Sequence, residues 1–196
     1  MAPDPPELWL ARHGETEWSV TGQHTGTTDI PLTDKGREQA RGLAQSLAGV
    51  RFDLVLSSPR QRAEETARLA GLEPEPEERL TEWNYGDYEG QTTAEIHRER
   101  PGWDLWRDGC PGGEQAADVA TRLKPLLDRL REREGERIAL FGHGHCFRAL
   151  AGCWLELGVE AGRSLGLGTA SLSLLGSEHG APVIQLWNQQ NHARPD

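Results

Sequence analysis

Short apolar runs in this chain are followed at once by polar residues that can do chemistry. Residues 8–11, 54–56 and 138–141 form three such runs, each about as long as a buried β-strand. The first run leads into Arg12 and His13, the second into Ser-Ser-Pro-Arg, and the third into Gly-His-Gly-His. We therefore expect three strands that each deliver functional side chains where the strand ends.

Helical periodicity alternates with these strands. The spacing of apolar residues and the capping residues predict four helices. The first is capped by residues 31–34 and ends at about residue 47, and the others cover about 59–72, 114–134 and 146–157. Two further strands are predicted over residues 171–175 and 183–187. Strands that alternate with helices indicate an α/β fold, with a mainly parallel central sheet and helices on both faces in a three-layer sandwich.

Three stretches show neither the periodicity of a helix nor that of a strand: a Gly/Thr-rich loop at 21–28, a Pro/Glu linker at 73–78 and an aromatic segment at 80–113. We expect one domain over residues 1–196, with residues 75–113 as an excursion that forms a substrate wall. The aromatic side chains of this excursion suit a hydrophobic core equally well. Residues 189–196 are expected to form a loose tail.

Composition narrows the function classes. A chain of 196 residues fits one domain, and its net charge of −10 argues against a nucleic-acid partner. Apolar runs are too short to span a membrane, and the three cysteines lack the spacing of a metal site or a disulfide framework. We expect a cytoplasmic protein that binds neither nucleic acid nor membrane and needs no metal or cofactor. The sequence leaves a homodimer open.

The strand ends point to a phosphate pocket. In open α/β sheets, ligands bind in the crevice beyond the carboxyl ends of the strands. Arg12, His13 and an Arg/Ser segment would meet at that edge. Fixed cationic donors stabilise the charge on a transferring phosphoryl group, and a neutral imidazole can attack its phosphorus. The pattern therefore predicts a pocket for a phosphate dianion with a histidine nucleophile.

Four motifs resemble those of the histidine phosphatase superfamily, also called phosphoglycerate-mutase-like. Residues 12–16, Arg-His-Gly-Glu-Thr, are similar to its signature, and residues 57–67, 80–90 and 142–144 follow in the family's order. The resemblance covers essentially the whole chain, which implies a single histidine phosphatase domain. Four motifs in order are far more specific than one five-residue match.

The resemblance assigns a role to each motif residue. His13 matches the nucleophile that becomes a phosphohistidine, and Glu82 matches the proton donor. The phosphate-binding positions of the family correspond to Arg12, Arg62 and His143. Contacts with substrate or phosphate are expected from Ser19, Thr25, Gly26, Tyr85, Arg107 and Gly144. Arg107 and His24 are the candidates for a distal phosphate, whereas His145 is placed behind the contacting residues or at the rim.

One branch of the family fits three stretches best. Residues 15–26, 82–90 and 103–114 resemble sedoheptulose-1,7-bisphosphatase and actinobacterial acid phosphatases. This resemblance implies a metal-independent phosphomonoester hydrolase that acts on sugar phosphates or bisphosphates as small-molecule partners.

Two other readings stay open. The mutases of the family are longer: they carry an insertion with paired arginines after the donor glutamate and a longer C-terminal tail, and this chain has neither. The resemblance therefore favours a phosphatase, and a cofactor-dependent phosphoglycerate mutase is the alternative enzyme. The chain could also be a non-catalytic module that binds phospho-ligands. A proton donor such as Glu82 argues against that module, because binding alone does not need one.

Overall fold

A computed structural model describes residues 5–190 of the chain. Its centre is one six-stranded sheet. The strands are β1 (Glu7–Arg12), β2 (Leu54–Ser57), β3 (Glu75–Pro76), β4 (Arg137–Gly142), β5 (Leu172–Glu178) and β6 (Ala181–Gln189). The three apolar runs and the two closing strands predicted from the sequence are thus all present.

The sheet is mostly parallel, as predicted. Its strand order is β3-β2-β4-β1-β5-β6. The neighbours β3, β2, β4 and β1 run parallel, whereas β5 lies antiparallel to both β1 and β6. The two residues of β3 fall in the predicted Pro/Glu linker. A bridge as short as Leu56 to Glu75 leaves no periodic signal, so the pattern could not reveal it.

The described residues contain seven α-helices: α1 (Glu17–Thr21), α2 (Asp34–Leu47), α3 (Gln61–Leu69), α4 (Thr93–Glu99), α5 (Leu105–Asp108), α6 (Ala116–Arg131) and α7 (Gly144–Trp154). The four long ones are the predicted helices. Helix α7 begins two residues earlier than expected because His143, in extended conformation, is its N-cap. Helices α1, α4 and α5 were not predicted, since four to seven residues are too few to show a helical period. Glu78–Leu80, Gly86–Tyr88 and Val159–Ser164 form short 3₁₀ helices.

Alternate residues of β1 pack against opposite faces of the sheet. Leu8 and Leu10 join one core cluster, which includes the apolar faces of α6 and α7. Trp9 and Ala11 belong to a second cluster with residues of α2 and α3. Side chains of a strand point alternately to either side, so a strand buried on both sides needs cover on both faces. The three-layer arrangement is therefore confirmed.

The predicted tail is wrong at its first residue, because Gln189 ends β6 and pairs with Leu172. Gln190 follows the strand and donates to the Thr169 carbonyl at 3.4 Å, and residues 191–196 of the predicted tail lie outside the described residues. No helix within residues 5–190 combines the length and the apolar character that crossing a membrane requires.

Candidate active site

The strand ends converge at one edge of the sheet, as the sequence pattern predicted. Strands β1 and β4 are parallel neighbours in which Arg12 pairs with Gly142. The residues that follow are tied together as well: the amide of His13 donates to the Gly142 carbonyl at 2.9 Å. The amide of Ser58 donates to the Phe141 carbonyl at 2.9 Å. The loops after β1, β2 and β4 therefore form one continuous site.

The imidazole of His13 is held in a single tautomer. Its Nδ1 lies 2.7 Å from the Gly14 carbonyl, which can only accept, so Nδ1 carries the proton and Nε2 keeps its lone pair. Burial, followed by the charges of Arg62 and Arg12, lowers the pKa of His13 well below its usual value. The ring is therefore neutral at physiological pH, with an unprotonated Nε2.

Close backbone packing explains the glycine after this histidine. A Cβ on Gly14 would lie 2.2 Å from the carbonyl oxygen of Gly36, at the start of α2. Backbone cannot yield at that distance, so only glycine fits here. The turn that orients His13 therefore depends on contact between the β1 loop and α2.

Two arginines lie beside His13, and within residues 5–190 neither has a close carboxylate partner. Arg62 is fully buried and donates to the carbonyls of Thr28 and Thr25, both at 3.1 Å. Its one ion pair among these residues is long, 3.9 Å to Asp29. Arg12 donates through Nη1 to the Leu167 carbonyl. Burial lowers the pKa of both guanidinium groups, yet both remain cationic because the ordinary value is so high.

His143 is held by a serine that the sequence motif contained but that was not singled out. Its Nε2 lies 2.8 Å from the Ser58 hydroxyl, which also accepts a bond from the Arg60 amide. The Ser58 hydroxyl proton has no other acceptor within residues 5–190, so Ser58 donates to Nε2 of His143. The proton of the His143 ring is therefore on Nδ1. The rings of His143 and His13 pack edge to face, 5.2 Å apart.

Buried nitrogens without partners are concentrated here. Among the described residues, the buried side-chain polar atoms that lack a hydrogen bond are Nε of Arg12, Arg60 and Arg62 and Nδ1 of His143. All four belong to residues that end β1 or follow β2 or β4 at this edge. A buried unpaired donor costs about 1–3 kcal/mol, so native proteins rarely retain one without a use. The site thus has donors in excess and lacks acceptors.

Glu82 lies opposite the cationic groups and caps helix α7. Its Oε1 accepts from the amides of Trp83 and Cys146, at 2.9 and 2.7 Å. Its Oε2 accepts one bond, from the amide of His145 at 3.0 Å. The favourable end of the helix dipole and three N–H donors hold the carboxylate in place. Oε2 keeps a free lone pair, so it is the atom that can take up and release a proton.

These side chains open into a pocket of about 220 Å³. Of the predicted site residues, it is lined by Arg12, His13, Ser19, His24, Thr25, Glu82, Tyr85, Gly144 and His145. Arg62 and His143 are fully buried and do not line it. Within residues 5–190, no three His, Cys, Asp or Glu side chains come together in an arrangement that could hold a metal ion.

Two predicted contacts are not brought to the pocket. The amide of Gly26 donates to both oxygens of Glu89, at 2.9 and 3.0 Å, so a phosphate cannot use it. Arg107 is exposed and its donors are taken by Asp108 and the Gly102 carbonyl. Arg107 borders a different cleft, because the intervening Trp106 side chain is buried in the core.

Ser19 and Thr25 line the pocket, but their hydroxyls are already engaged. The Ser19 hydroxyl donates to the Thr16 carbonyl at 2.8 Å and accepts from the Thr16 amide at 2.9 Å. The Thr25 hydroxyl donates to the Gln23 carbonyl at 3.1 Å. Both residues therefore shape the pocket and offer a substrate few free donors.

The aromatic excursion is chiefly core. Five of its aromatic side chains are buried in the larger core cluster: Trp83, Tyr85, Tyr88, Trp103 and Trp106. Of these, only Tyr85 borders the pocket. The alternative that the sequence left open is thus resolved for the four others in favour of packing.

The sequence motifs did not point to Arg148, and they did not place His145 in direct contact with a substrate. Both line the pocket, and Arg148 reaches it from the second turn of α7. Its guanidinium lies over the Trp106 ring, 4.8 Å from the ring centre, and bonds the Gly162 carbonyl at 2.9 Å. The spacing from His143 was a usable signal, because a residue one turn into a helix can still face the site at its N-terminus.

Cationic donors, a neutral histidine and a carboxylate at the carboxyl edge of a mostly parallel sheet define an enzyme that acts on phosphate esters. Comparison with known proteins agrees with this class. The profile of the histidine phosphatase superfamily (branch 1) matches residues 8–190. The chain therefore belongs to the histidine phosphatase superfamily, and it is a phosphatase.

Relatives and solved structures support the same conclusion. An acid phosphatase of Mycobacterium tuberculosis is 41% identical over 96% of this chain and 95% of its own length. The sedoheptulose 1,7-bisphosphatase of Saccharomyces cerevisiae is 36% identical over 79% of this chain and 69% of its own. The solved structure of the M. tuberculosis open reading frame Rv3214 superposes with a TM-score of 0.91 at 39% identity, covering 95% of this chain and 98% of that one.

Proposed function

We propose that this protein is a metal-independent phosphomonoester hydrolase that works through a phosphohistidine at His13 and acts on sugar phosphates or bisphosphates. The observation that carries the proposal is the set of unpartnered buried nitrogens at this edge of the sheet. A phosphoryl group brings several acceptor oxygens and a negative charge, which is what these donors lack. Arg12, Arg62 and His143 lie near His13, a neutral imidazole whose Nε2 is free to attack.

The arrangement supports a two-step displacement. Nε2 of His13 attacks phosphorus while the bond from phosphorus to the leaving oxygen breaks, and a protonated Glu82 Oε2 gives that oxygen its proton. A water molecule then attacks the phosphohistidine and transfers its proton back to Glu82. Inorganic phosphate leaves, and both side chains return to their starting states.

Two observations favour sugar phosphates over simple alkyl esters. The relatives described above include an enzyme named for a sugar bisphosphate. The outer part of the pocket is polar and contains one further cation, Arg148, two of whose donors are held by backbone carbonyls. A distal phosphate or other anionic group of a substrate would find its partner there.

Trapping the intermediate tests the proposal. The enzyme is mixed with ³²P-labelled p-nitrophenyl phosphate, quenched in alkali, where phosphohistidine is stable, and digested for mass spectrometry. We expect label on the peptide that contains His13 and none in the His13→Ala variant. Label on another residue, or full activity of that variant, would refute the covalent mechanism.

Mutase activity is the alternative, and the same preparation tests it. Primed with 2,3-bisphosphoglycerate, a mutase interconverts 3- and 2-phosphoglycerate faster than it releases inorganic phosphate. We expect release of phosphate to dominate, since the pocket opens to solvent beside Ser19 and Gln23 and water can reach the phosphohistidine.

A further inference from the structure

We propose that His24 and His145 form a hydroxyl-recognition subsite that selects polyol phosphates over phosphates bearing a carboxylate at the same place. The inference rests on the proposed function, because it concerns the leaving group of that reaction. Both imidazoles line the same pocket as His13 and Glu82. Neither has a role in the displacement itself.

His24 presents a hydrogen-bond acceptor to the pocket. Its Nδ1 lies 2.7 Å from the Gln91 carbonyl, so Nδ1 carries the ring proton. Nε2 makes no hydrogen bond within residues 5–190 and is not among the buried atoms that lack a partner, so it is accessible. Burial lowers the pKa of this histidine, which favours the neutral ring. A neutral His24 can therefore accept a proton from a ligand but cannot donate one.

His145 presents the opposite character. Its Nδ1 lies 2.6 Å from the Tyr85 hydroxyl. Tyr85 is buried, and its hydroxyl proton has no other acceptor among the described residues, so the phenol donates to Nδ1. Burial and the charge of Arg148 lower the pKa of His145 well below its usual value. The neutral ring therefore carries its proton on Nε2, which also has no hydrogen-bond partner within residues 5–190, and offers a donor.

The spacing of the two rings suits a pair of hydroxyls. The rings are nearly parallel, with 13° between their planes and centroids 6.2 Å apart. Tyr85 touches both rings edge to face, which keeps them in register. Two adjacent hydroxyls whose oxygens are about 2.8 Å apart can bridge one donor and one acceptor at such a separation. One hydroxyl accepts from His145, and its neighbour donates to His24.

A carboxylate fits the same place poorly. It has no proton to give to His24, so its oxygen would face the Nε2 lone pair without a bond. A site built to bond a hydroxyl rejects an analogue that leaves its buried groups unpaired. The pair would thus separate sugar phosphates from phosphorylated carboxylic acids that have no hydroxyl to offer His24, although both react at the same phosphoryl group.

Three esters of one chain length test this subsite: propyl phosphate, glycerol 3-phosphate and the phosphate ester of 3-hydroxypropionate. They carry no further polar group, two adjacent hydroxyls, and a carboxylate without a hydroxyl beside it. For the wild type we expect kcat/KM for glycerol 3-phosphate to exceed that for each of the others about tenfold or more. Intrinsic differences between the esters cancel when the same ratio is measured in variants.

His24→Asn and His145→Asn keep a polar atom at the Nδ1 position and remove the ring's Nε2. We expect either change to reduce the preference for glycerol 3-phosphate to about twofold or less, and the double variant to lose little more, because one diol uses both groups. His179→Asn is the matched control. His179 is exposed on the turn between β5 and β6, where its φ of 52° also suits asparagine.

The outcomes separate this inference from the proposed function. Equal kcat/KM for the three esters in the wild type, or an unchanged preference in both asparagine variants, would overturn the subsite and leave the phosphatase intact. Absence of any hydrolysis, including that of p-nitrophenyl phosphate, would instead refute the proposed function. A preference that falls equally in His179→Asn would show a general effect and also overturn the assignment.

Discussion

The two ends of the pocket are built in different ways. At the phosphate end, Arg12, Arg62 and His143 come from strand ends and a helix start, and each keeps a nitrogen without a partner. At the outer end, Tyr85 and His24 come from loops, and each makes a hydrogen bond to protein that fixes its orientation. The phosphate end is therefore incomplete without an anion, whereas each group at the outer end already has a bond to protein and keeps one accessible atom for a ligand.

This difference predicts where the energy of binding resides. Unpaired buried donors gain most from a ligand, because they have no protein bond to exchange for the new one. Groups that already bond protein can gain a ligand bond only through the one free atom that they turn to the pocket. Substitutions at the phosphate end should therefore cost far more activity than substitutions at the outer end.

The largest effect is expected for Arg62→Ala. Loss of this buried cation should lower kcat/KM for p-nitrophenyl phosphate about a thousandfold, because a fixed donor to the transferring group disappears. Arg68→Ala on the same helix is the control, since Arg68 is half exposed and pairs with Glu64. Melting temperatures show whether the loss of the bond to the Thr28 carbonyl unfolds the variant. A drop of less than about tenfold in a folded Arg62→Ala would contradict the comparison.

A smaller loss, about ten- to hundredfold in kcat/KM, is expected for Ser58→Ala. Without its hydroxyl, His143 is free to carry its proton on Nε2, and Nδ1 then offers the phosphate no donor. Ser57→Ala is the control, because the Ser57 hydroxyl bonds the Ser58 carbonyl and does not touch His143. Comparable losses in the two variants would mean that packing, and not the tautomer, explains the effect.

At the outer end, Arg148→Ala should reduce kcat/KM for fructose 1,6-bisphosphate about tenfold more than kcat/KM for p-nitrophenyl phosphate. Arg107→Ala should change the same ratio less than about twofold, because Arg107 borders a different cleft and is engaged with Asp108. Steady-state kinetics on both substrates measure the two ratios. A larger effect of Arg107 than of Arg148 would restore the distal-phosphate role that the sequence suggested.

The same contrast decides what the sequence could reveal. His13 and His143 directly follow apolar strands, and parallel strands end at one edge, so their proximity follows from local pattern and a general rule. The positions of Arg107 and Arg148 depend on how α5 and α7 pack around Trp106. That packing joins segments some forty residues apart, and no local period encodes it.

Hydrogen bonds between residues far apart in the sequence explain why the other contacts of the site could not be predicted. Gly26 was expected to meet phosphate, but its amide is taken by Glu89, which lies 63 residues further along the chain. The pairing of Tyr85 with His145 spans 60 residues. A motif shows which side chains are present, whereas their free atoms are known only once all partners are placed.

The last prediction concerns the order in which two histidines take up a proton as pH falls, and at neutral pH both rings stay neutral. Burial lowers the pKa of both His13 and His24. The charges of Arg62 and Arg12 lower the pKa of His13 further, against the smaller opposing effect of the Gly14 carbonyl. For His24, the Gln91 carbonyl, Glu82 and Glu89 all raise the pKa and favour the charged ring. The rings that face His24 from neighbouring elements are those of Tyr85, Trp103 and His145.

As pH falls below about 6.5, His24 should therefore take up its proton before His13 does. ¹⁵N chemical shifts of imidazole-labelled protein, assigned with His24→Asn and His13→Ala, follow the two rings separately. Hydrolysis of p-nitrophenyl phosphate should persist after His24 has titrated, because the nucleophile is still neutral. The preference for glycerol 3-phosphate over propyl phosphate should already have fallen, since a protonated His24 no longer accepts a hydroxyl proton. If His13 titrates first, the arginines do not control its charge, and the proposed difference between the two ends of the pocket is wrong.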